Sequence, residues 1–310
     1  MRIVFAGTPA PAVPSLHALA QSAHELVAVV TRRDAPLGRK RVLTPSPVAA
    51  AAAELGLPVI KADRLDASVT EQIAALAPDL GVIVAYGGLV REPLLSTPVH
   101  GWINLHFSLL PRWRGAAPVQ RALIAGERTT GSAVFQLVPE LDAGDVFGEL
   151  RYDVPEDATA GDLLDTLALS GARLLTQVVD DIADGSAVAV PQRGEPTYAP
   201  KLTIADGLLD FTVPAREVLD RFRGTTPEPG AHVLIDGQRL KVLAASHGPA
   251  LDVPPGTLTL HAKQVVGGTA DGTVVFGTVQ PAGRGPMAAA DWWRGLRADH
   301  VRLDAAEESP

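Results

Sequence analysis

The first 85 residues alternate between short apolar runs and helical patterns, and this alternation constrains the fold more than any other feature of the sequence. The apolar runs, rich in β-branched residues, predict strands at residues 2–6, 25–31, 57–60 and 80–85. The segments between them predict helices at residues 9–20, 48–55 and 66–76. Because strands and helices that alternate at this spacing form parallel sheets with helices on both sides, the sequence predicts a Rossmann-like α/β domain.

The rest of the chain predicts more of this domain and then a second domain of different character. Helices are expected at residues 116–125 and 160–183, and strands at residues 133–138 and 148–154. Prolines and glycines interrupt residues 190–201, which are interpreted as a linker running over the first domain. Beyond it, short strands at 231–235, 238–244, 258–266 and 272–279, with a helix at 288–296, predict a small β domain. The number of strands suggests a closed barrel of the oligonucleotide-binding (OB) type, which the periodicity alone does not specify. The predicted divisions are residues 1–188, a linker at 189–205, and residues 206–310.

Composition excludes several classes of protein. The 310 residues contain no cysteine, which excludes disulfides, thiolate metal sites and a cysteine nucleophile, and is compatible with a cytoplasmic protein. No apolar stretch approaches the roughly twenty residues that a membrane-spanning helix needs. The net charge of −8 argues against a general nucleic-acid binder. One local exception is a basic cluster, of a kind that is usually solvated surface, at Arg32, Arg33, Arg39, Lys40 and Arg41.

Two polar residues lie at the end of a predicted strand, where open α/β sheets bind their ligands. Asn104 and His106 are two residues apart, so on a strand both side chains point to the same face. An asparagine amide can donate to an oxyanion, a histidine can accept a proton near neutral pH, and Asp142 could orient the imidazole. This set suffices for acyl transfer to an amine without an acyl-enzyme, because Ser108 lacks the G-x-S-x-G context of a nucleophile.

Other interpretations of these residues stay open on the residues alone. An isolated Asn-x-His pair at a strand end is more often structural than catalytic. A metal site made of His100, His106 and Asp142 is an alternative, with no second closely spaced histidine pair to support it. A dinucleotide-binding dehydrogenase is another, although Pro9 and Ala10 interrupt the G-x-G-x-x-G pattern after the first strand.

Three motifs taken together are more specific than any one of these residues. They are residues 104–111 (Asn-Leu-His-Phe-Ser-Leu-Leu-Pro), 114–118 (Arg-Gly-Ala-Ala-Pro) and 141–144 (Leu-Asp-Ala-Gly). In this order and spacing they resemble the 10-formyltetrahydrofolate-dependent formyltransferases. The resemblance extends over nearly the entire chain and includes residues 197–202 (Thr-Tyr-Ala-Pro-Lys-Leu).

The resemblance implies that a formyl group moves from 10-formyltetrahydrofolate to the α-amino group of methionine on initiator tRNA, in a monomeric cytoplasmic enzyme that needs no metal. By position, it implies a catalytic set of Asn104, His106 and Asp142. The folate site that it implies contains Ser108, Leu109, Leu110, Pro111, Tyr86 and Gly87. The tRNA contacts that it implies are made by a flexible loop with Arg39, Lys40 and Arg41, by the linker with Lys201, and by the β domain at residues 206–310.

The catalytic roles are expected only in outline. Asn104 is expected to donate to the formyl oxygen as that atom gains charge. His106 is expected either to assist Asn104 or to take the amine proton. Asp142 is expected either to orient His106 or to move protons through water. The residues themselves do not separate these roles.

The identity of the amine acceptor rests on the second domain and on the loop that carries Arg39. Formyltransferases of the same fold that act on an amino-sugar nucleotide or on glycinamide ribonucleotide have less need of a second platform, so these features favour tRNA. Residues 206–310 contain ten Lys or Arg against thirteen Asp or Glu, so tRNA contacts there require a local basic surface. A non-catalytic RNA-binding protein on an enzyme fold is the alternative of a different class. The presence of the complete Asn104, His106 and Asp142 set argues against it.

Overall fold

The structure, a computed structural model, describes residues 1–38 and 41–305 and divides into two compact units. The first unit comprises Met1–Pro118, Thr129–Asp153 and Leu164–Ala199. The second unit comprises Val119–Arg128, Val154–Leu163 and the chain from Pro200 onward. Two short segments of the predicted first domain, residues 1–188, are thus grouped with the second unit. The boundaries at residues 188 and 206 stay a prediction.

The N-terminal part of the chain alternates strands and helices as the sequence predicts, with bounds that shift by a few residues. Its strands are β1 (Arg2–Gly7), β2 (Glu25–Thr31), β3 (Ala35–Leu37), β4 (Val42–Thr44), β5 (Val59–Lys61), β6 (Leu80–Val84), β7 (Trp102–His106), β8 (Arg114–Gly115), β9 (Thr129–Gln136), β10 (Val146–Asp153) and β11 (Tyr198–Ala199). Its helices are α1 (Val13–Ala20), α2 (Pro47–Glu54), α3 (Ala67–Ala75), α4 (Pro118–Ile124) and α5 (Ala160–Asp184), with 3-10 turns at Ala10–Ala12 and Leu94–Ser96. Within the part of the chain that the structure describes, no helix has the length and apolar character needed to cross a membrane.

One mixed sheet forms the centre of the first unit, in the order β10-β9-β7-β6-β1-β2-β5. The strands β7, β6, β1, β2 and β5 run parallel, which confirms the prediction for this part of the chain. β9 pairs antiparallel with β7, and β10 pairs antiparallel with β9. Because β1, β6 and β7 are neighbours in the parallel part, their carboxyl ends lie side by side, where this class of sheet binds ligands.

Side-chain hydrogen bonds cap the first turns of two helices. Asp66 Oδ1 accepts a 3.1 Å hydrogen bond from the backbone N–H of Val69 at the start of α3. Ser46 Oγ accepts a 3.0 Å hydrogen bond from the N–H of Ala49 at the start of α2. Each bond satisfies an N–H group that has no partner within its helix.

The second unit is built on a curled antiparallel sheet in the form of a half-barrel, consistent with the predicted OB-like domain. Its strands are β12 (His232–Ile235), β13 (Gln238–His247), β14 (Thr257–His261), β15 (Gln264–Gly268), β16 (Thr273–Pro281), β17 (Met287–Ala288) and β18 (His300–Arg302). Its elements also include α6 (Ala215–Gly224), α7 (Ala289–Leu296) and a 3-10 turn at Ala205–Gly207. The strand order is β12-β13-β16-β15-β14-β18, and β17 pairs with β16. Its core contains Phe211, Phe222, Phe276 and Trp293.

Two turns in the second unit differ in whether their residues mark the end of a strand. A tight hairpin turn at Asp236 and Gly237, with φ values of 50° and 72°, joins the strands predicted at 231–235 and 238–244. The single strand predicted at residues 258–266 is wrong, because Ala262 and Lys263 separate β14 from β15 with φ values of 46° and 67°. Glycine and asparagine usually occupy such positions, and neither is present here to mark the break.

Residues 32–47, interpreted from sequence as a loop, contain a short hairpin of β3 and β4. Its side chains Leu37, Val42 and Leu43 are largely exposed. The prolines and the glycine in this segment hide the hairpin from a pattern-based prediction, since a strand this short has no clear alternation. Arg39 and Lys40, which join its two strands, lie outside the described residues.

Candidate active site

The strand β7 carries Asn104 to the ligand-binding edge of the sheet, between β6 and β9. Asn104 lies opposite Ile83 on one side and Phe135 on the other, and it is the only asparagine in the chain. Its Oδ1 atom is buried and has no hydrogen-bond partner within residues 1–38 and 41–305. An unpaired buried amide oxygen costs free energy in the folded state, so a residue kept in this arrangement points to a role other than stability.

A main-chain carbonyl selects the tautomer of His106. The imidazole is 6% exposed, and its Nε2 lies 2.8 Å from the carbonyl oxygen of Trp113. A carbonyl oxygen can only accept, so Nε2 carries the proton and donates it. The lone pair of the neutral imidazole is therefore on Nδ1. The ring of Phe135 packs edge-on against the imidazole, with 6.3 Å between the ring centroids.

Asp142 approaches the Nδ1 side of His106 from the loop between β9 and β10. Its Oδ2 lies 3.8 Å from His106 Nδ1 and accepts a 2.7 Å hydrogen bond from the N–H of Gly115. A separation of 3.8 Å is too long for a direct hydrogen bond, and Nδ1 of the neutral ring and the carboxylate are both acceptors. The two atoms can therefore receive a proton from a third group that approaches both of them.

The pKa of His106 makes this nitrogen a base at neutral pH. Burial lowers the pKa below the ordinary value of 6.5, while the Asp142 carboxylate and the hydrogen bond to Trp113 oppose that shift. The imidazole is therefore neutral at pH 7. Protonation at Nδ1 would place a positive charge beside the Asp142 carboxylate, which stabilises it.

The turn after β7 is closed by its own hydrogen bond. Ser108 is fully buried, and its Oγ donates to the carbonyl oxygen of Arg112 at 2.6 Å. Leu109 packs so closely on Gly131 that a Cβ there would lie 2.6 Å from its Cδ2. The peptide bond Leu110–Pro111 is cis. Because the turn uses the Ser108 hydroxyl, that group is not placed as a nucleophile. A role for residues 108–111 in folate binding stays a prediction.

The side chain of Tyr86, which follows β6, belongs to the core. It is 1% exposed, its hydroxyl donates to the carbonyl of Ala62 at 2.7 Å, and burial raises its pKa. Its own carbonyl accepts from Thr8 Oγ1 at 3.1 Å, and the Gly87 carbonyl accepts from Arg32. A ligand at this strand end can therefore contact main-chain atoms near Gly87 more readily than the Tyr86 ring. The predicted folate contacts at both residues stay predictions.

The structure describes two of the four residues predicted to contact tRNA. Arg39 and Lys40 lie outside the described residues. Arg41 belongs to the first unit and is exposed, with φ 49°. Lys201 is also exposed and belongs to the second unit, in which it follows Pro200. The contact of each with tRNA stays a prediction.

The metal-site interpretation finds no support in the arrangement of side chains. Across the described residues, no group of three or more His, Cys, Asp or Glu side chains is placed to hold a metal ion. The exposed His100 therefore does not join His106 and Asp142 in such a group.

The site depends on a segment that the sequence analysis interprets as a linker. The N–H of Trp113 donates to Thr197 Oγ1 at 2.9 Å, and β8 pairs with β11 in parallel. Gln192 bonds both to Arg114 and to the Asp142 loop. Gln192 does not stand out in the sequence, and Thr197 does so only as part of the motif at residues 197–202, because isolated polar residues in a segment rich in proline and glycine produce no periodic pattern.

Comparison with known proteins gives consistent matches over both units. The sequence models described as formyl transferase and as its C-terminal domain match residues 1–179 and 201–297. A methionyl-tRNA formyltransferase of Leifsonia xyli subsp. xyli is 64% identical over 301 residues, which cover 97% of this chain and 99% of that protein. One of Clavibacter sepedonicus is 59% identical over 302 residues, again covering 97% and 99%. Among solved structures, the sugar 3N-formyl transferase WlaRD, in the presence of dTDP and 5-N-formyl-THF, shares the fold: its TM-score is 0.69 at 14% identity, over 92% of this chain and 98% of that one.

Proposed function

The chain belongs to the formyl transferase family, and from that premise we propose that it formylates the α-amino group of methionine on initiator tRNA, for translation initiation. The proposed formyl donor is 10-formyltetrahydrofolate. Relatives with the methionyl-tRNA formyltransferase name support this assignment, because their identity extends through the second unit as well as the first. The structural observation that carries the chemistry is the buried His106–Asp142 pair next to a residue with an unpaired amide oxygen.

The residues at the sheet edge fit the donor. A formyl oxygen needs a hydrogen-bond donor where it gains charge, and the NH₂ group of the Asn104 amide is such a donor at the end of β7. Residues 108–111 and the main chain at Gly87 are proposed to hold the folate itself.

His106 is proposed to be the general base of a direct transfer. The amine nitrogen bonds to the formyl carbon, and the carbonyl electron pair moves to the formyl oxygen, which accepts a hydrogen bond from Asn104. The nitrogen loses a proton to Nδ1 of His106, and the Asp142 carboxylate stabilises the imidazolium. The electron pair then returns, the bond from the formyl carbon to N10 of the donor breaks, and that nitrogen takes up the proton. His106 is neutral again, and the products are tetrahydrofolate and the formylated amine.

The pH dependence of kcat/KM, which reports the free enzyme, tests the assignment of the base. The pKa of His106 lies below 6.5, so we expect its ionisation to leave kcat/KM unchanged near pH 7 and to lower kcat/KM only as the pH falls below 6.5 through that lowered pKa. Because the Asp142 carboxylate raises this pKa, Asp142→Asn is expected to move the acid limb to lower pH and to slow the reaction. The substrate amine titrates alike with both enzymes, so the difference between the two profiles is the readout. Identical acid limbs would show that the Asp142 charge does not act on the titrating group.

The choice of acceptor is tested by the rates with different amines. We expect rapid formylation of initiator methionyl-tRNA, much slower formylation of elongator methionyl-tRNA, and no formylation of an amino-sugar nucleotide. A second unit does not by itself separate these acceptors, because the sugar formyl transferase WlaRD matches 92% of this chain. The 64% identity to a methionyl-tRNA formyltransferase is what favours tRNA. Equal rates with the two tRNAs would contradict initiator specificity. Formylation of the amino-sugar nucleotide or of glycinamide ribonucleotide, with no tRNA product, would replace the proposed acceptor.

A non-catalytic RNA-binding protein remains the competing function of a different class. It would bind initiator tRNA and produce no formylated product in the presence of the donor. The buried Oδ1 of Asn104 counts against it, because a protein that only binds RNA gains nothing from an unpaired buried oxygen.

We also propose that the protein is a monomer and acts in the cytoplasm. Sedimentation at several concentrations tests the first of these, since a dimer would sediment faster as concentration rises.

A further inference from the structure

We propose that Gln192 is a positioning residue of the formyl-transfer site, whose amide ties the Asp142 loop to the segment that contacts His106. The inference rests on the proposed function, because it concerns the geometry of the same site. Gln192 lies in residues 189–205, the segment interpreted as a linker, and outside the motifs that carry the family resemblance.

The Gln192 amide uses its hydrogen-bonding capacity in full. Its Oε1 accepts from Arg114 Nε at 3.2 Å and from Arg114 Nη2 at 2.6 Å. Its Nε2 donates to the carbonyl oxygens of Asp142 and Gly144, both at 2.8 Å. A guanidinium only donates and a carbonyl only accepts, so these partners fix which end of the amide is oxygen and which is nitrogen. Four bonds to three residues make this side chain a cross-link between the Arg114 side chain and the backbone of the Asp142 loop.

The Asp142 loop requires support because of its backbone. Asp142 has a φ of 47°, in the left-handed region that few side chains adopt and that costs free energy unless the surroundings hold it. Gly144 packs so tightly that a Cβ there would lie 1.8 Å from the carbonyl oxygen of Gln136. Gln192 binds the carbonyls of both loop residues. The loop, and the carboxylate that it carries, is therefore held in one conformation.

The other end of the cross-link is the segment that completes the site. Within residues 113–115, one carbonyl accepts from His106 and one N–H donates to the Asp142 carboxylate. A shift of the loop relative to this segment changes the 3.8 Å separation between His106 Nδ1 and Asp142 Oδ2. Gln192 opposes that shift, because it bonds to Arg114 on one side and to the loop on the other.

The main chain around Gln192 anchors the cross-link at both ends. On one side, Val190 pairs with Val146 at the start of β10 through two backbone hydrogen bonds of 2.8 and 2.9 Å. On the other side, Ala199 of β11 pairs with Gly115 of β8. Gln192 therefore lies on a segment that is itself bound to the strands next to the site.

The variant Gln192→Met tests this role, because methionine has similar length and makes none of the four hydrogen bonds. We expect kcat to fall about 10- to 100-fold, since a displacement of about 1 Å at a catalytic group costs up to this much. The KM for initiator methionyl-tRNA is expected to change little. Gln177→Met, the same change at an exposed position on α5, is the matched control and should leave kcat unchanged.

A double variant separates positioning of Asp142 from a general effect on structure. If Gln192 acts through Asp142, Gln192→Met should cost less than about threefold in an Asp142→Asn background. Gln192→Glu keeps oxygen atoms for Arg114 but faces both loop carbonyls with another acceptor, so it should lose at least as much activity as Gln192→Met. A wild-type rate in either single variant, or the same fold loss in both backgrounds, would overturn the proposal. If the unaltered protein transfers no formyl group, it is the proposed function that fails.

Discussion

Replacement of His106 by glutamine or alanine is expected to lower kcat for formyl transfer about 10²- to 10⁴-fold, the usual loss when a general base is removed. Glutamine is the sharper variant, because its side-chain NH₂ can still donate to the carbonyl of Trp113 while it offers no base. Binding of initiator tRNA, measured by gel mobility at one fixed salt concentration, is expected to stay nearly unchanged. Loss of turnover with retained binding would place the effect of His106 in the chemical step.

The exposed His100 provides the matched control for this change. His100→Ala removes an imidazole just before β7 and is expected to leave kcat at the wild-type value. A wild-type kcat in His106→Gln would show that the amine proton leaves by another route, through Asp142 or water. A loss of activity in His100→Ala as large as that in His106→Gln would revive the metal-site interpretation.

Replacement of Asn104 by leucine is expected to change activity and stability in opposite directions. Leucine has nearly the same size but no amide, so kcat should fall about 10²- to 10³-fold, as when an oxyanion donor is removed. The same change removes a buried oxygen that has no partner among the described residues, so the free energy of unfolding should rise by about 1–2 kcal/mol. Steady-state kinetics and urea unfolding at pH 7 measure the two effects on the same preparation.

A lower kcat together with a higher free energy of unfolding distinguishes a functional asparagine from a structural one. Ser132→Ala is the matched control, because Ser132 Oγ on β9 is another buried oxygen without a partner in the described part of the chain. It should leave the stability unchanged or slightly raised, and kcat unchanged. A destabilised Asn104→Leu protein would mean that Asn104 is part of the scaffold. Wild-type kcat in that variant would mean that another group stabilises the formyl oxygen.

The elements that position the site could be predicted because their patterns are local. The fully apolar run of β6 is typical of a strand buried on both faces, and it is one. Asn104 and His106 could be placed on one face because two residues separate successive side chains on the same side of a strand. Asp142 joined them in the sequence analysis as a candidate whose position depended on the fold. Its approach to within 3.8 Å of His106 is set by the pairing of β9 and β10, which no local pattern encodes.

The partners that tune the site could not be predicted, because most of them are main-chain atoms or isolated side chains. The carbonyl of Trp113 selects the tautomer of His106, and any residue type has such a carbonyl. The N–H of Gly115 that binds Asp142 is also a main-chain group, which every residue type except proline has. Gln192 is a single polar residue in a segment without periodicity, so only the folded structure shows that it spans Arg114 and the Asp142 loop.

In the proposed mechanism, the formyl group passes directly from the folate donor to tRNA-bound methionine, with His106 as the base. An acid-quenched single turnover, with formyl-labelled 10-formyltetrahydrofolate and limiting initiator methionyl-tRNA, tests it most directly. We expect the label to appear on the tRNA-bound methionine without ever being attached to the protein. We expect the rate to be lower by about a hundredfold or more in His106→Gln. Formyl label attached to the protein before any appears on the tRNA would contradict direct transfer. A wild-type rate in His106→Gln would contradict the role of His106 as the base.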